Sequence, residues 1–126
     1  MKKLYSIAAA LMLGAIGAQA GQLFVVGEAT QYGWSLDDAQ ALLSTPENDN
    51  IYTGTLYLKA DQVFKFLTTY EWGGTEYGAE TGASLTDGKV ALASGSNDNG
   101  YDQIKVAEDG NYLITVDTES LSATIV

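Results

Sequence analysis

Asn111-Tyr112-Leu113-Ile114-Thr115-Val116-Asp117, then Thr118-Glu119-Ser120, then Leu121-Ser122-Ala123-Thr124-Ile125-Val126, decides the fold class. Successive side chains of a strand point to opposite faces, so alternation with period two marks a half-buried strand. Tyr112, Ile114 and Val116 alternate against Leu113 and Thr115, and Leu121, Ala123 and Ile125 share one face of the segment that follows. A polar turn between two such runs predicts an antiparallel pair. The chain ends as β structure.

The same period extends upstream. Tyr101 to Val106 reads as a strand, with Glu108-Asp109-Gly110 as the turn after it. Lys89 to Ala93 and Ala83-Ser84-Leu85 flank a Thr86-Asp87-Gly88 turn. Ile51 to Lys59 alternates, Ala60-Asp61 is a tight turn, and Val63 to Thr68 is expected to fold back as its hairpin partner. Gln22 to Val26, stopped by Gly27, predicts a first strand. Between them, Ser35 as N-cap, Asp37 and Asp38 in the first turn and Ala39, Leu42 and Leu43 at helical spacing predict one short helix to about Ser44. Pro46 and Glu47 to Asn50 make the exit loop. Glu71 to Gly82 carries four glycines and reads as a long surface loop. About seven to eight short strands with regular turns predict an all-β, immunoglobulin-like antiparallel β-sandwich with one short helix.

The first twenty residues stand apart. Lys2 and Lys3, the apolar run Leu4 to Gly17 and the small-x-small Ala18-Gln19-Ala20 form a secretory signal peptide, too short for a membrane span. With no cysteine there is no site for lipid attachment, so residues 21–126 are expected as one domain, exported, periplasmic or secreted, and not lipid-anchored. Of 126 residues, removal of 20 leaves 106, enough for a core without disulfides. Two of the six lysines leave with the leader and all sixteen acids stay, so the formal charge moves from −10 to −12. Such a field repels phosphate backbones and anionic lipid, which excludes nucleic acid and membrane insertion after cleavage. Uncharged sugars are indifferent to it.

Catalysis is poorly provisioned. Without histidine or cysteine, Ser-His-Asp and Cys-His machinery and the usual zinc sets cannot be built. A glycosidase carboxylate pair remains formally open among sixteen acids, most of which belong to turns and solvated faces. Asn97-Asp98-Asn99 and Asp102 bring four oxygen-bearing side chains within six residues, but the position where an EF-hand needs glycine is Asp102, and such residues cluster in ordinary turns. No metal, no cofactor and no enzyme activity are therefore expected.

Aromatic residues outside the alternating faces carry the stronger signal: Tyr32, Trp34, Tyr70, Trp72 and Tyr77. Sugar rings have apolar C–H faces and polar edges, so their sites combine an aromatic platform with a few hydrogen-bonding groups. In Val63-Phe64-Lys65-Phe66-Leu67, the two phenylalanines share one face as core and Lys65 stands on the other, expected to point outward as a donor. The strand then runs into Tyr70 and Trp72. A core plug is the competing role for either tryptophan.

Several stretches in order carry a resemblance: Leu23-Phe24-Val25-Val26-Gly27-Glu28-Ala29-Thr30, Tyr32-Gly33-Trp34, Tyr52-Thr53-Gly54, Phe64-Lys65-Phe66, Gly110-Asn111-Tyr112 and Val116-Asp117. Together they resemble the C-terminal repeated modules of SusE and SusF, starch-binding outer-membrane proteins of polysaccharide utilisation. The resemblance covers Leu23 to Val126 and implies a β-sandwich that binds α-glucan without cleaving it. It implies that Trp34 stacks on glucose rings, that Lys65 and an amide bond the hydroxyls, and that Trp72 adds a contact; Asn99 is the amide assigned. The ligand expected is starch, another α-glucan or a related glycan. The alternative is a structural or assembly module that binds an envelope protein, for instance by adding a strand at a sheet edge.

Overall fold

A computed structural model describes residues 21–126; the expected signal peptide lies outside the described residues. Eight strands form the frame: β1 Gln22–Val26, β2 Gln40–Thr45, β3 Asn48–Leu58, β4 Lys65–Leu67, β5 Glu76–Ala79, β6 Lys89–Gly95, β7 Gly110–Asp117 and β8 Ser122–Ile125. All neighbours are antiparallel, in the order β1-β2-β3-β7-β8-β6-β5-β4, and β4 returns to pair with β1. The all-β class and the strand number are as expected. The sandwich is corrected: the strands close into one barrel-like sheet, and a closed sheet has no free edge for strand addition.

The core fills the inside. Leu23, Val25, Leu42, Leu56, Leu58, Phe64, Phe66, Ile114, Val116 and Ile125 are buried there, with Phe64 and Phe66 edge to face at 6.0 Å. The phenylalanines are core, as their alternation predicts. β1 has the predicted bounds, and β7 with β8 forms the expected pair through Ile114↔Ile125 to Asp117↔Ser122. Leu121 sits in the preceding turn with φ 56°.

Three expectations fail for one reason: non-local pairing overrides a local pattern. The predicted helix is β2, in which Leu42 is buried and Leu43 is 48% exposed. Leucines at adjacent positions fit either period, and β1 and β3 both pair with this segment. The Ser35 cap survives only as one turn, its Oγ donating to Asp38 Oδ2 at 3.1 Å. Second, β3 and β4 are not a hairpin. Asp61 takes a left-handed φ of 62° and its N–H bonds to Val106 O, so the chain crosses over instead of folding back. β3 pairs with β2 and with β7 over eight residue pairs, whereas β4 pairs with β1 and β5. Third, the glycine-rich stretch contains β5, so the loop shrinks to the tip of a β4–β5 hairpin closed by Thr68 N–H to Thr75 O. Residues 101–106 join the sheet only through single bridges, Ala79↔Asp102 and Phe64↔Ile104.

Candidate functional site

β4 is only three residues long, yet every one of them is buried. Phe66 points into the core. Lys65 and Leu67 face outward yet are buried, and three loops bring Trp34, Trp72 and Tyr101 around the Lys65 ammonium on the outside of the sheet. Trp34 ends the loop after β1, which is cinched by Gly27 N–H to Gly33 O at 3.0 Å and by the buried Thr30 hydroxyl donating to Gly27 O at 2.9 Å. Trp72 stands at the β4–β5 hairpin tip, tethered to the β6 loop by Ser96 Oγ donating to Gly73 O at 2.9 Å.

Tyr101 lies on a bed of glycine. A methyl group at Gly78 would sit 2.3 Å from Tyr101 Cδ1, and one at Gly95 would sit 2.9 Å from Cδ2 and 1.8 Å from Asn99 O. Both strands must therefore lack a side chain at these points for the ring to reach the sheet.

Lys65 corrects its expected exposure: the residue is 2% exposed. A buried ammonium persists only when it is paired and hydrogen-bonded. Its Nζ donates to Glu76 Oε1 at 2.9 Å, to Asp98 Oδ1 at 2.7 Å and to Tyr101 Oη at 3.0 Å. Tyr101 in turn donates to Glu76 Oε1 at 2.5 Å. Burial alone would lower the Lys65 pKa, but hydrogen bonds to Asp98, Tyr101 and Glu76 outweigh it and hold the ammonium above its ordinary range. Burial pushes Glu76 upward, while the bonds from Tyr101 and Lys65 win and keep its carboxyl below the usual range. Asp98 is lowered first of all by its bond from Lys65. Burial and the bond to Glu76 push the Tyr101 phenol up to about 12.

Above this cluster the indoles converge. The Trp34 and Trp72 ring centroids are 6.2 Å apart with planes tilted by 52°, and the Lys65 ammonium lies 5.8 Å and 5.5 Å from the two centroids. Trp34 is 37% and Trp72 46% exposed, so neither is a core plug. They wall an open cleft of about 350 Å³ together with Lys65, Glu76, Asn97, Asp98 and Gln103.

The three principal candidates, Trp34, Lys65 and Trp72, thus meet in one place. Asn99 does not line the cleft; its Nδ2 donates to Asn97 O within its own turn, and the amides on the wall are Asn97 and Gln103. Asp98 and Asp102 turn to different partners, the latter accepting Gly82 N–H at 2.9 Å. Tyr70 packs on Phe24 at 5.2 Å, and Tyr77 is half-buried against the core. Sequence reasoning missed Glu76, Asp98 and Tyr101 as partners of Lys65. One signal existed: a lone lysine between two core phenylalanines on a short strand needs a counter-charge if its face is covered.

Two exposed, tilted indoles over a polar floor define a surface for ligands that combine apolar faces with hydroxyl edges. Residues 22–124 match the family of SusF/SusE starch-specific carbohydrate-binding modules (CBMs), and the chain belongs to that family. The crystal structure of SusF from Bacteroides thetaiotaomicron aligns over 92% of this chain and 25% of its own, at 18% identity and a TM-score of 0.62. That likeness shows a shared fold. The chain spans about a quarter of the length of that protein. A search of curated proteins finds no significant match.

Proposed function

We propose that this chain is a non-catalytic module that binds α-glucan of the starch type in the Trp34–Trp72 cleft. The observation that carries the reading is the indole pair: exposed, 6.2 Å apart and tilted by 52°. Coplanar rings suit a flat chain. A tilted pair suits one that coils, as α-linked glucans do, because successive sugar rings then present their C–H faces at an angle. Asn97 and Gln103 stand beside the indoles and supply amide donors and acceptors for the ring edge. Family membership supports the same ligand class.

Absence of cleavage follows from the acids in the cleft. A glycosidase needs one carboxyl that stays protonated to reach the leaving oxygen. Glu76 and Asp98 are both hydrogen-bonded to one ammonium and held below the usual carboxylate range, which removes the general acid. On this reading the expected leader directs export, and binding takes place in the periplasm or outside the cell.

Isothermal calorimetry with maltoheptaose tests the proposal. Stacking and a few hydrogen bonds at one site give a Kd on the order of 0.1–1 mM. Trp34→Ala and Trp72→Ala should each weaken binding at least about tenfold. Unchanged affinity in both variants would show that the cleft is not the site.

A further inference from the structure

A second aromatic pair stands beside the first. Phe24 and Tyr70 meet at 5.2 Å between ring centroids with planes tilted by 59°, against 6.2 Å and 52° for the two indoles. Neither ring belongs to the core cluster; Phe24 is half-buried and Tyr70 is 50% exposed. Tyr70 thus leaves in water half of the surface that would stabilise a core ring. Register puts both pairs on one face. Phe24↔Leu67 and Val26↔Lys65 are opposed across β1 and β4, and Leu67↔Glu76 across β4 and β5. Opposed residues point to the same side of a sheet, so Phe24, Leu67 and Glu76 form one outward row next to Lys65. Neighbouring strands lie about 4.8 Å apart, which sets the Phe24 backbone about 10 Å from that of Glu76 in the cleft wall. The hairpin tip joins the two pairs: Tyr70, Glu71 and Trp72 are consecutive and exposed, Tyr70 reaching Phe24 and Trp72 reaching Trp34. The tip is braced by Thr68 Oγ1 donating to Thr75 O at 2.7 Å, Thr69 Oγ1 to Glu71 O at 3.2 Å and Ser96 Oγ to Gly73 O at 2.9 Å. Both rings are therefore held before any ligand arrives, which spares the ordering cost of binding.

We infer that Phe24 and Tyr70 form a second glycan subsite, and that a long α-glucan leaves the Trp34–Trp72 cleft, crosses the hairpin tip at Glu71 and stacks on this pair. The inference rests on the glycan reading above and extends it: short oligosaccharides fill the cleft, and longer chains gain from both platforms. Two platforms on one rigid face act on a single chain as linked sites, so the second contact is made at high effective concentration. The similar tilt of the two pairs suits a ligand whose sugar rings turn by a similar angle along its length, as those of a coiled chain do. Glu71 is exposed on the path, so the ligand is a neutral chain and anionic polysaccharide is repelled.

The test compares maltotriose with maltoheptaose by calorimetry in wild type and Tyr70→Ala. The variant should bind maltotriose as wild type does and bind maltoheptaose about fivefold more weakly, the worth of one aromatic contact. A longer ligand also offers more registers to the cleft, but Tyr70→Ala keeps that gain, so the loss is read against wild type on the same sugar. Phe24→Leu, which keeps apolar bulk and loses the flat ring, should show the same length-selective loss; melting curves check that both variants fold. In ¹⁵N-labelled wild type, the Phe24 and Tyr70 amide signals should move with maltoheptaose and stay still with maltotriose. If maltoheptaose binds Tyr70→Ala and Phe24→Leu as tightly as wild type while Trp34→Ala weakens it, the second subsite fails and the cleft reading stands. Equal losses for both sugars would also overturn it, because the ring would then act through the cleft. If wild type binds neither sugar, the glycan reading fails and takes the inference with it.

Discussion

Two flanks of the closed sheet treat their outer faces in opposite ways. Over β4, β5 and β6 the outward side chains include Lys65 and Glu76, and loops bearing Trp34, Trp72 and Tyr101 cover them. Over β2, β3 and β7 the outward residues include Leu43, Thr53, Thr55, Tyr57, Leu113 and Thr115, related by the pairs Leu43↔Thr53, Thr53↔Thr115 and Thr55↔Leu113. That flank carries no charge at these positions and lies open, with Leu43, Tyr57 and Leu113 exposed. Charge is thus buried where loops close over β4 and β5, while the middle of the bare face is uncharged and carries its charge only toward one end, at Asp49 and Asp117. A buried ion cluster is a costly way to fill a layer, because desolvation consumes much of the attraction. It lies directly beneath two exposed indoles, and on the proposed reading that flank is the working one.

The largest expected break comes from Lys65→Met. It leaves Glu76 buried and uncompensated, so urea denaturation should show a loss of about 3–5 kcal/mol. Leu113→Thr on the open flank should change stability by less than about 0.5 kcal/mol. Equal effects would erase the distinction between the flanks. Next in size is Gly78→Ala. Its methyl group meets the Tyr101 ring and Asp102 O at 2.3 and 2.4 Å, which should cost about 1–3 kcal/mol. A displaced ring also loosens Lys65, so glycan affinity should fall in the same variant. Unchanged stability would mean that the ring does not rest on the sheet.

The mildest probe is pH. Glu76 and Asp98 are held below the ordinary carboxylate range, so as pH falls the unfolded chain takes up protons first. Their contribution should be complete above roughly pH 4 and lost below it. Lys65 is held above its ordinary range and Tyr101 is pushed up to about 12, so at high pH the unfolded chain gives up those protons first. That contribution should be complete below roughly pH 10 and lost above. Melting temperatures across this range should form a plateau with two falling shoulders. In Lys65→Met the acid shoulder should shrink.

Much of the covered flank was legible in its parts and illegible in its assembly. Alternation in Phe64-Lys65-Phe66 put the rings in the core, and loop positions flagged Trp34 and Trp72. The same alternation suggested an exposed Lys65, because nothing local says that loops will cover a strand. Which of sixteen acids meets the ammonium depends on pairs 11 and 33 residues away, a distance that no periodicity encodes. β5 was hidden because Gly78, which admits the Tyr101 ring, weakens a strand signal in the sequence. β2 reads as a helix in the sequence because paired leucines satisfy either period. The open flank was easier to read: β7 and β8 have one buried face and one bare face, the condition that makes alternation visible.

The most direct test is a chemical-shift titration of ¹⁵N-labelled protein with maltoheptaose. The two indole Nε1–H signals and the side-chain amides of Asn97 and Gln103 should move together along one binding curve, with Thr55, Leu113 and Thr115 still. Movement centred on the β3–β7 face, with both indoles unmoved, would contradict the placement of the site.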